Sequence, residues 1–336
     1  MGAPTTPDRP LRCGILGCAD IARRRMLPTL AAVPDVEPVA VASRSAAKAA
    51  EFAAAFGCEA VTGYDELLAS PGIDAVYVPL PPLLHAAWIE KALRAGKHVL
   101  AEKPLTADPD STERLLRLAA ERGLVLLENV AFPHHEQHAT VRKLLADGAI
   151  GQVRDFAGSF TIPPLPEDNM RYRSDVGGGA LLDMGVYPIR AALHHLGPDV
   201  GVLHAVLRLD ASKGVVMAGR ILACTAGGVT ADLTFGMEHS YRTSLEFAGS
   251  NGRLTLDRAF TPPPAHQPVL RVERQDHREE ITLRADDQFA NVVRYFARVV
   301  RTPRSGKGPD DDAARASLRQ AQLVAEVERK AVRITR

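Results

Sequence analysis

From Leu11 to Leu127 the chain alternates short apolar runs with longer segments of helical period, and its first run ends in a small-residue turn, Gly17-Cys18-Ala19. Apolar runs separated by helix-period segments fold as βαβ units, whose crossovers force the strands to run parallel. Strands are expected at Arg12–Leu16, Pro38–Ala42, Glu59–Val61, Ala75–Val78, His98–Ala101 and Val125–Leu127. The helices between them cover Asp20–Ala32, Ala46–Phe56, Leu83–Arg94 and Ser111–Arg122, with Gly57, Gly96 and Gly123 placed to close the last three. Pro28 inside the first helix predicts a kink or two shorter pieces.

Beyond His134 the pattern changes. A helix over His135–Ala146 leads to a strand over Val153–Ile162, then a loop and a helix over Ala180–Leu196. From Gly201 to Leu283 strands follow one another through turn signals such as Ser212-Lys213-Gly214 and Gly249-Ser250-Asn251-Gly252. Such a meander predicts a large, mostly antiparallel open sheet with helices on one face. Two helices, Gln288–Val300 and Asp312–Ala331, finish the chain across a linker at Thr302–Pro309. The 336 residues exceed what one core usually organises, so two domains are expected, over 10–130 and 131–336.

The charge excludes a polyanion-tracking protein: 41 Lys+Arg stand against 40 Asp+Glu. Cys13, Cys18, Cys58 and Cys224 lack metal or disulfide spacing and read as reduced thiols, which points to the cytoplasm. The longest weakly charged stretch, Ala75–Ile89, holds three prolines and His85 and is too short to span a bilayer. The first ten residues lack the apolar core of a signal peptide. Gly2 and Thr6 fit a myristoylation pattern formally, but a disordered leader accounts for the same residues.

Gly17-Cys18-Ala19-Asp20-Ile21-Ala22 stands between a strand and a helix, in the register of the GxGxxG/A dinucleotide fingerprint, where small residues let a diphosphate reach backbone N–H groups. This identifies the first domain as a Rossmann dinucleotide-binding domain and gives the fold class α/β, with an α+β domain following. Arg23, Arg24 and Arg25 could add phosphate contacts or form a solvated helix face. The second strand ends in Ser43-Arg44 and has no carboxylate for ribose hydroxyls, which favours the 2′-phosphate of NADPH over NADH. Leu80, in Tyr77-Val78-Pro79-Leu80-Pro81-Pro82, and His85 after it wall the cofactor at a strand's carboxyl end, and Tyr64 and Glu102 are expected among its contacts. Lys103 closes another strand, placed to hold a substrate oxygen during hydride transfer. Asp183 and Tyr187, i and i+4 on one helix after Gly177-Gly178-Gly179, offer a carboxylate and a phenol for proton transfer.

The fingerprint, the Glu102-Lys103-Pro104 triplet and the glycine run leading to Asp183 and Tyr187 resemble the Gfo/Idh/MocA family of oxidoreductases over nearly the whole chain. Phe160-Thr161-Ile162-Pro163-Pro164 and Leu233-Thr234-Phe235-Gly236-Met237-Glu238-His239 bring the sequence nearest to NADPH-dependent sugar 3-ketoreductases. The resemblance implies reduction of the C3 ketone of a dTDP-linked 3,4-diketo-2,6-dideoxyhexose in deoxysugar biosynthesis. It assigns catalytic positions to Lys103 and Tyr187, an orienting role to Asp183, and a reach toward the nicotinamide or substrate to Arg173. Many members carry histidine where this chain has Tyr187, which leaves Tyr187 and Lys103 both standing as proton donor. A dehydrogenase of a free sugar, inositol or dihydrodiol, and an NADP-binding sensor without turnover, are the alternatives. His134, His135 and His138 invite a metal reading, but His135-Glu136-Gln137-His138 is one residue short of HExxH, and no metal is expected. His194 and His195 read as partners of a helix C-terminus. A broad sheet with one open face predicts a homodimer or homotetramer.

Overall fold

The computed structural model describes residues 9–302 and 310–335. The leader with Gly2 and Thr6, and the linker from 303 to 309, lie outside the described residues.

Six strands form the first sheet: β1 (Leu11–Leu16), β2 (Val36–Ser43), β3 (Glu59–Thr62), β4 (Ala75–Val78), β5 (His98–Glu102) and β6 (Leu126–Asn129). All are parallel, in the order β3-β2-β1-β4-β5-β6. The order reverses between β1 and β4, so the carboxyl ends of these strands frame the crevice in which open α/β sheets take ligands. Helices α1 (Leu27–Ala32), α2 (Ala46–Phe56), α3 (Tyr64–Ala69), α4 (Pro82–Arg94) and α5 (Pro109–Glu121) connect the strands. Ser45 and Asp108 cap α2 and α5, accepting from Lys48 N at 3.4 Å and Ser111 N at 2.7 Å.

The helix expected over Asp20–Ala32 is two pieces, a π turn at Ala22–Met26 running into α1. Pro28 lies directly after the π turn, where Leu27 N donates to Ala22 O, so the wider turn immediately precedes the residue that has no N–H to give. Helix α3 was not foreseen, because six residues are too few to display a helical period.

The second sheet is built after α6 (Glu136–Ala146). Its strands are β7 (Val153–Thr161), β8 (Gly201–Asp210), β9 (Val215–Cys224), β10 (Thr230–Gly236), β11 (Arg242–Gly249), β12 (Arg253–Asp257), β13 (Val269–Arg274) and β14 (His277–Thr282), and α7 (Val186–Leu196) packs on β7 and β10. Helices α8 (Gln288–Arg301) and α9 (Asp310–Lys330) precede a last strand, β15 (Ala331–Thr335). The order is β14-β13-β12-β11-β7-β10-β9-β8-β15, and the pairings are antiparallel except β7 with β10 and β8 with β15. Strand β15 is absent from the sequence reading, which ended the chain on a helix to Ala331. Its five residues gain their strand character only by pairing with β8, more than a hundred positions earlier.

Contacts divide the chain into two units. Among the described residues, the first joins the segment up to 130 with those between 289 and 318, the second 131–288 with those from 319 onward. The described residues between 289 and 318, expected within the second domain, thus cluster with the first. Helix α8 buries Val292, Val293, Phe296 and Ala297. Its Arg301 donates to Asp35 Oδ1 at 2.6 Å and to Asp35 O at 3.0 Å.

Candidate active site

Gly17 directly follows β1, and its φ of +123° suits a residue without a Cβ. A Cβ there would stand 3.0 Å from Leu80 Cδ2 and 3.6 Å from the Tyr64 hydroxyl. Leu80 and Tyr64 therefore close on the same bare backbone, a cradle that fits the diphosphate of a dinucleotide. Arg44 stands beside Tyr64: burial pushes the Tyr64 phenol up, and the Arg44 guanidinium pulls the other way. Ser43, buried at the end of β2, accepts from Ser45 N at 3.1 Å, and the Cys18 thiol donates to Lys48 O at 3.6 Å.

The structure disperses the arginine cluster behind the turn. Arg23 pairs with Glu51 and lies over the Phe52 ring at 4.6 Å. Arg24 pairs with Asp20 on the exposed surface, and Arg25 is exposed. Ala19 O accepts from Arg23 N at 3.1 Å, Ile21 leads into the π turn, and Ala22 is fully buried within it. Single π turns recur at functional sites because they displace side chains from the α-helical register.

Lys103 follows β5, two strands from β1 in the same parallel sheet, and its neighbours are fixed one after another. Glu102 Oε1 accepts from Tyr77 Oη at 2.7 Å and Asn129 Nδ2 at 2.6 Å, on the strands either side. Burial and the adjoining Glu102 carboxylate push the Tyr77 phenol well up, so it remains a donor. Pro104 O lies 2.8 Å from His85 Nδ1, and Leu105 N donates to Glu128 Oε1 at 3.0 Å. Glu128 Oε2 accepts from Ser317 Oγ of α9 at 2.6 Å. The peptide between Lys103 and Pro104 is cis. His85, expected to touch the cofactor, is fully buried, with Nε2 2.6 Å from Leu80 O. It holds the two loops that carry Leu80 and Pro104 and presents no surface of its own. Burial pushes its pKa down against the pull of those carbonyls.

In the second unit, Gly178 packs where a Cβ would stand 2.5 Å from Arg173 O, 2.7 Å from Met170 O and 2.8 Å from Arg171 O. No side chain fits there. The helix expected over Ala180–Leu196 opens as a π turn, Leu181–Gly185, before α7 begins. Asp183 lies in that turn and accepts from Arg171 Nε. Arg173, to which the resemblance gave the reaching role, instead pairs with exposed Asp175 at 2.7 Å. Arg171, two positions before Arg173, is the arginine that pairs with Asp183, a contact the sequence did not announce. Tyr187 sits among Phe160, Phe260 and Phe132, with ring centroids at 4.8, 5.5 and 6.3 Å.

Among the described residues no group of His, Cys, Asp or Glu could hold a metal, and no helix is long and apolar enough to cross a membrane. The four cysteines are free. His138, His194 and His195 pack together instead. Burial, reinforced by neighbouring His194, pushes His138 down to about 3. Burial and Arg142 push His194 down to about 4, and burial and His138 hold His195 well below its ordinary value. These depressed values have a signed consequence. The unfolded chain protonates the rings near pH 6.5 while the folded one does not, so stability is complete above that pH and is lost as pH falls toward 4. At pH 5 the expected loss is about 2 kcal/mol for each ring that stays neutral. Urea unfolding at pH 7 and pH 5 measures it, and equal midpoints with equal slopes would contradict the burial argument.

Residues 11–130 match a family profile described as the oxidoreductase family with an NAD-binding Rossmann fold, and residues 138–255 match the GFO/IDH/MocA C-terminal domain. The chain is 56% identical over 315 residues to a dTDP-3,4-didehydro-2,6-dideoxy-alpha-D-glucose 3-reductase of Actinomadura kijaniata, covering 94% of both chains. It is 54% identical over 321 residues to the enzyme of that name from Streptomyces antibioticus, covering 96% of this chain and 97% of the other. Among solved structures, a 3-ketoreductase from A. kijaniata in complex with NADP and TDP-benzene superposes with a TM-score of 0.93 at 54% identity, over 97% of this chain and 99% of that one. Variants of that 3-ketoreductase have been solved with one lysine and with one tyrosine replaced, and those two residues are as far apart in sequence as Lys103 and Tyr187.

Proposed function

The chain belongs to the Gfo/Idh/MocA family of oxidoreductases, and from that premise we propose that it reduces the C3 ketone of a dTDP-linked 3,4-diketo-2,6-dideoxyhexose with NADPH. The observation that carries this reading is Lys103, braced on both sides at the carboxyl edge of the sheet whose first strand ends in the Gly17 cradle. The near end-to-end identity to enzymes named for this ketone supports the substrate.

When bound, NADPH supplies the hydride. Gly17 and the backbone after it would hold its diphosphate, and Arg44 with Ser43 its 2′-phosphate. The Lys103 ammonium donates to the ketone oxygen and stabilises the negative charge that grows there as the carbonyl carbon becomes tetrahedral. A proton then passes to that oxygen from Lys103 Nζ or Tyr187 Oη, giving the alcohol. Arg171 holds Asp183, whose carboxylate is set to orient a sugar hydroxyl.

We place the reaction in the cytoplasm, where NADPH is supplied and free thiols persist. A homo-oligomer is also proposed. Leu222 on β9 and Val332 and Ile334 on β15 are about half exposed on one face at the β15 end of the second sheet, on either side of β8, a surface that a second copy would cover.

Following NADPH absorbance with the dTDP-linked 3,4-diketo sugar, made in situ because of its reactivity, tests the function. Consumption with the nucleotide-linked sugar and not with free sugars is expected. Formation of NADPH from NADP+ with free sugars, without any turnover of the dTDP-linked ketone, would replace the proposal with the free-sugar dehydrogenase reading, and no turnover in either direction would leave the sensor.

A further inference from the structure

The sequence offered His138 as a metal candidate and His195 as a partner of a helix C-terminus; the structure joins both to Tyr187. His195 lies on α7, two turns beyond Tyr187, and its Nε2 is 3.2 Å from His138 Nδ1 at the start of α6. His138 Nε2 is 2.8 Å from Ala259 O. A carbonyl can only accept, so His138 carries its proton on Nε2, and its bare Nδ1 accepts from His195 Nε2–H. Both rings are neutral in this arrangement, in keeping with the burial that keeps them unprotonated at neutral pH.

The carbonyls this chain reaches belong to the segment after β12. Gln137 Nε2 also donates to Ala259 O, at 2.9 Å, and Gln288 Nε2 donates to Phe260 O at 2.9 Å. Gln137, His138, Gln288 and Phe260 are all buried. The Phe260 ring lies 5.5 Å from Tyr187 and stacks on Phe160 at 5.7 Å, which itself meets Tyr187 at 4.8 Å. The connections close a circuit that leaves α7 at His195, passes through His138 and the Ala259–Phe260 backbone, and returns to α7 at Tyr187.

We infer that His138 is a positioning residue, which sets the Tyr187 phenol for the reaction by fixing the Ala259–Phe260 segment against its ring. The catalytic part of this inference rests on the role proposed above for Tyr187; the positioning part does not. An aromatic box alone would leave the phenol's height along the ring axis loosely defined. Tying the wall of the box back to the tyrosine's own helix removes that freedom, and positioning errors well under an ångström matter at a reacting oxygen.

The test compares His138→Phe, which keeps a ring and removes both hydrogen bonds, with His138→Gln, whose amide can still donate to Ala259 O. Each is labelled with 3-fluorotyrosine at position 187 and read by fluorine NMR, alongside kcat and KM. In folded His138→Phe the fluorine signal is expected to move or broaden and kcat to fall about tenfold with KM changed less than about twofold. His138→Gln should restore both. In a Tyr187→Phe background, His138→Phe should lower kcat no further. An unmoved fluorine signal in folded His138→Phe overturns the inference, and so does an equal kcat loss with and without the Tyr187 hydroxyl. Should His138→Phe fail to fold, Phe260→Leu takes its place, with the same shift expected and the same null result decisive against it. A moved signal with Tyr187→Phe at full activity upholds the positioning and overturns the catalytic role of Tyr187 instead.

Discussion

Lys103→Ala lowers kcat/KM for the keto sugar about a hundredfold, while the protein stays folded and binds NADPH with unchanged affinity. The size follows from what is removed: one charged donor aimed at an oxygen that becomes negative, a contact stronger at the transition state than in the ground state. The bonds of Glu102, Pro104 and Leu105, which brace this loop from both sides, do not involve the Lys103 side chain and remain in place. Lys103→Arg keeps the charge but spreads it over a planar fork, and should recover only part of the loss. Steady-state kinetics with fluorescence titration of NADPH measure both quantities. Near-normal turnover by Lys103→Ala would remove Lys103 from the chemistry.

Arg44→Ala weakens NADPH binding about 10- to 100-fold and leaves NADH affinity nearly unchanged. The range corresponds to the roughly 1.5–3 kcal/mol of a hydrogen bond to a charged group, and the selectivity arises because only NADPH carries the 2′-phosphate. Arg44 is exposed and its partner Tyr64 is anchored edge-on against Trp88 at 4.8 Å, so no core packing is lost with the guanidinium. Titration with both nucleotides reads the ratio directly. Equal weakening of the two would show that Arg44 acts on a part of the cofactor they share.

The positions of these two candidates at strand carboxyl ends were legible in the sequence, because a short apolar run followed by a helix-period segment marks such an end without tertiary information. The Rossmann half was readable for the same reason. What was not readable depends on partners distant in the chain. Phe132, Phe160 and Phe260 each look like ordinary core residues, and only the folded second unit makes them the walls around Tyr187. His85 stood at the right place in the motif for a cofactor contact, yet two backbone carbonyls claim its ring. The choice between Arg171 and Arg173 turned on the short 3-10 turns at Met170–Tyr172 and Ser174–Val176, which send alternate side chains to different partners. The π turns at Ala22–Met26 and Leu181–Gly185 are single local slips of the helical register, too short for a periodicity argument to register.

The first unit is assembled from two stretches of chain separated by the whole of the second sheet, and this makes the order of synthesis matter. A ribosome that has delivered residue 130 has delivered every strand of the parallel sheet, but neither α8 nor the hydroxyl of Ser317. Glu128 accepts from the amide next to Pro104 and also from Ser317, which is made 189 positions after it. The bracing of the loop that carries Lys103 therefore draws on residues synthesised long after the loop itself. A nascent or C-terminally shortened chain holds the complete nucleotide motif while its lysine loop is still unfinished.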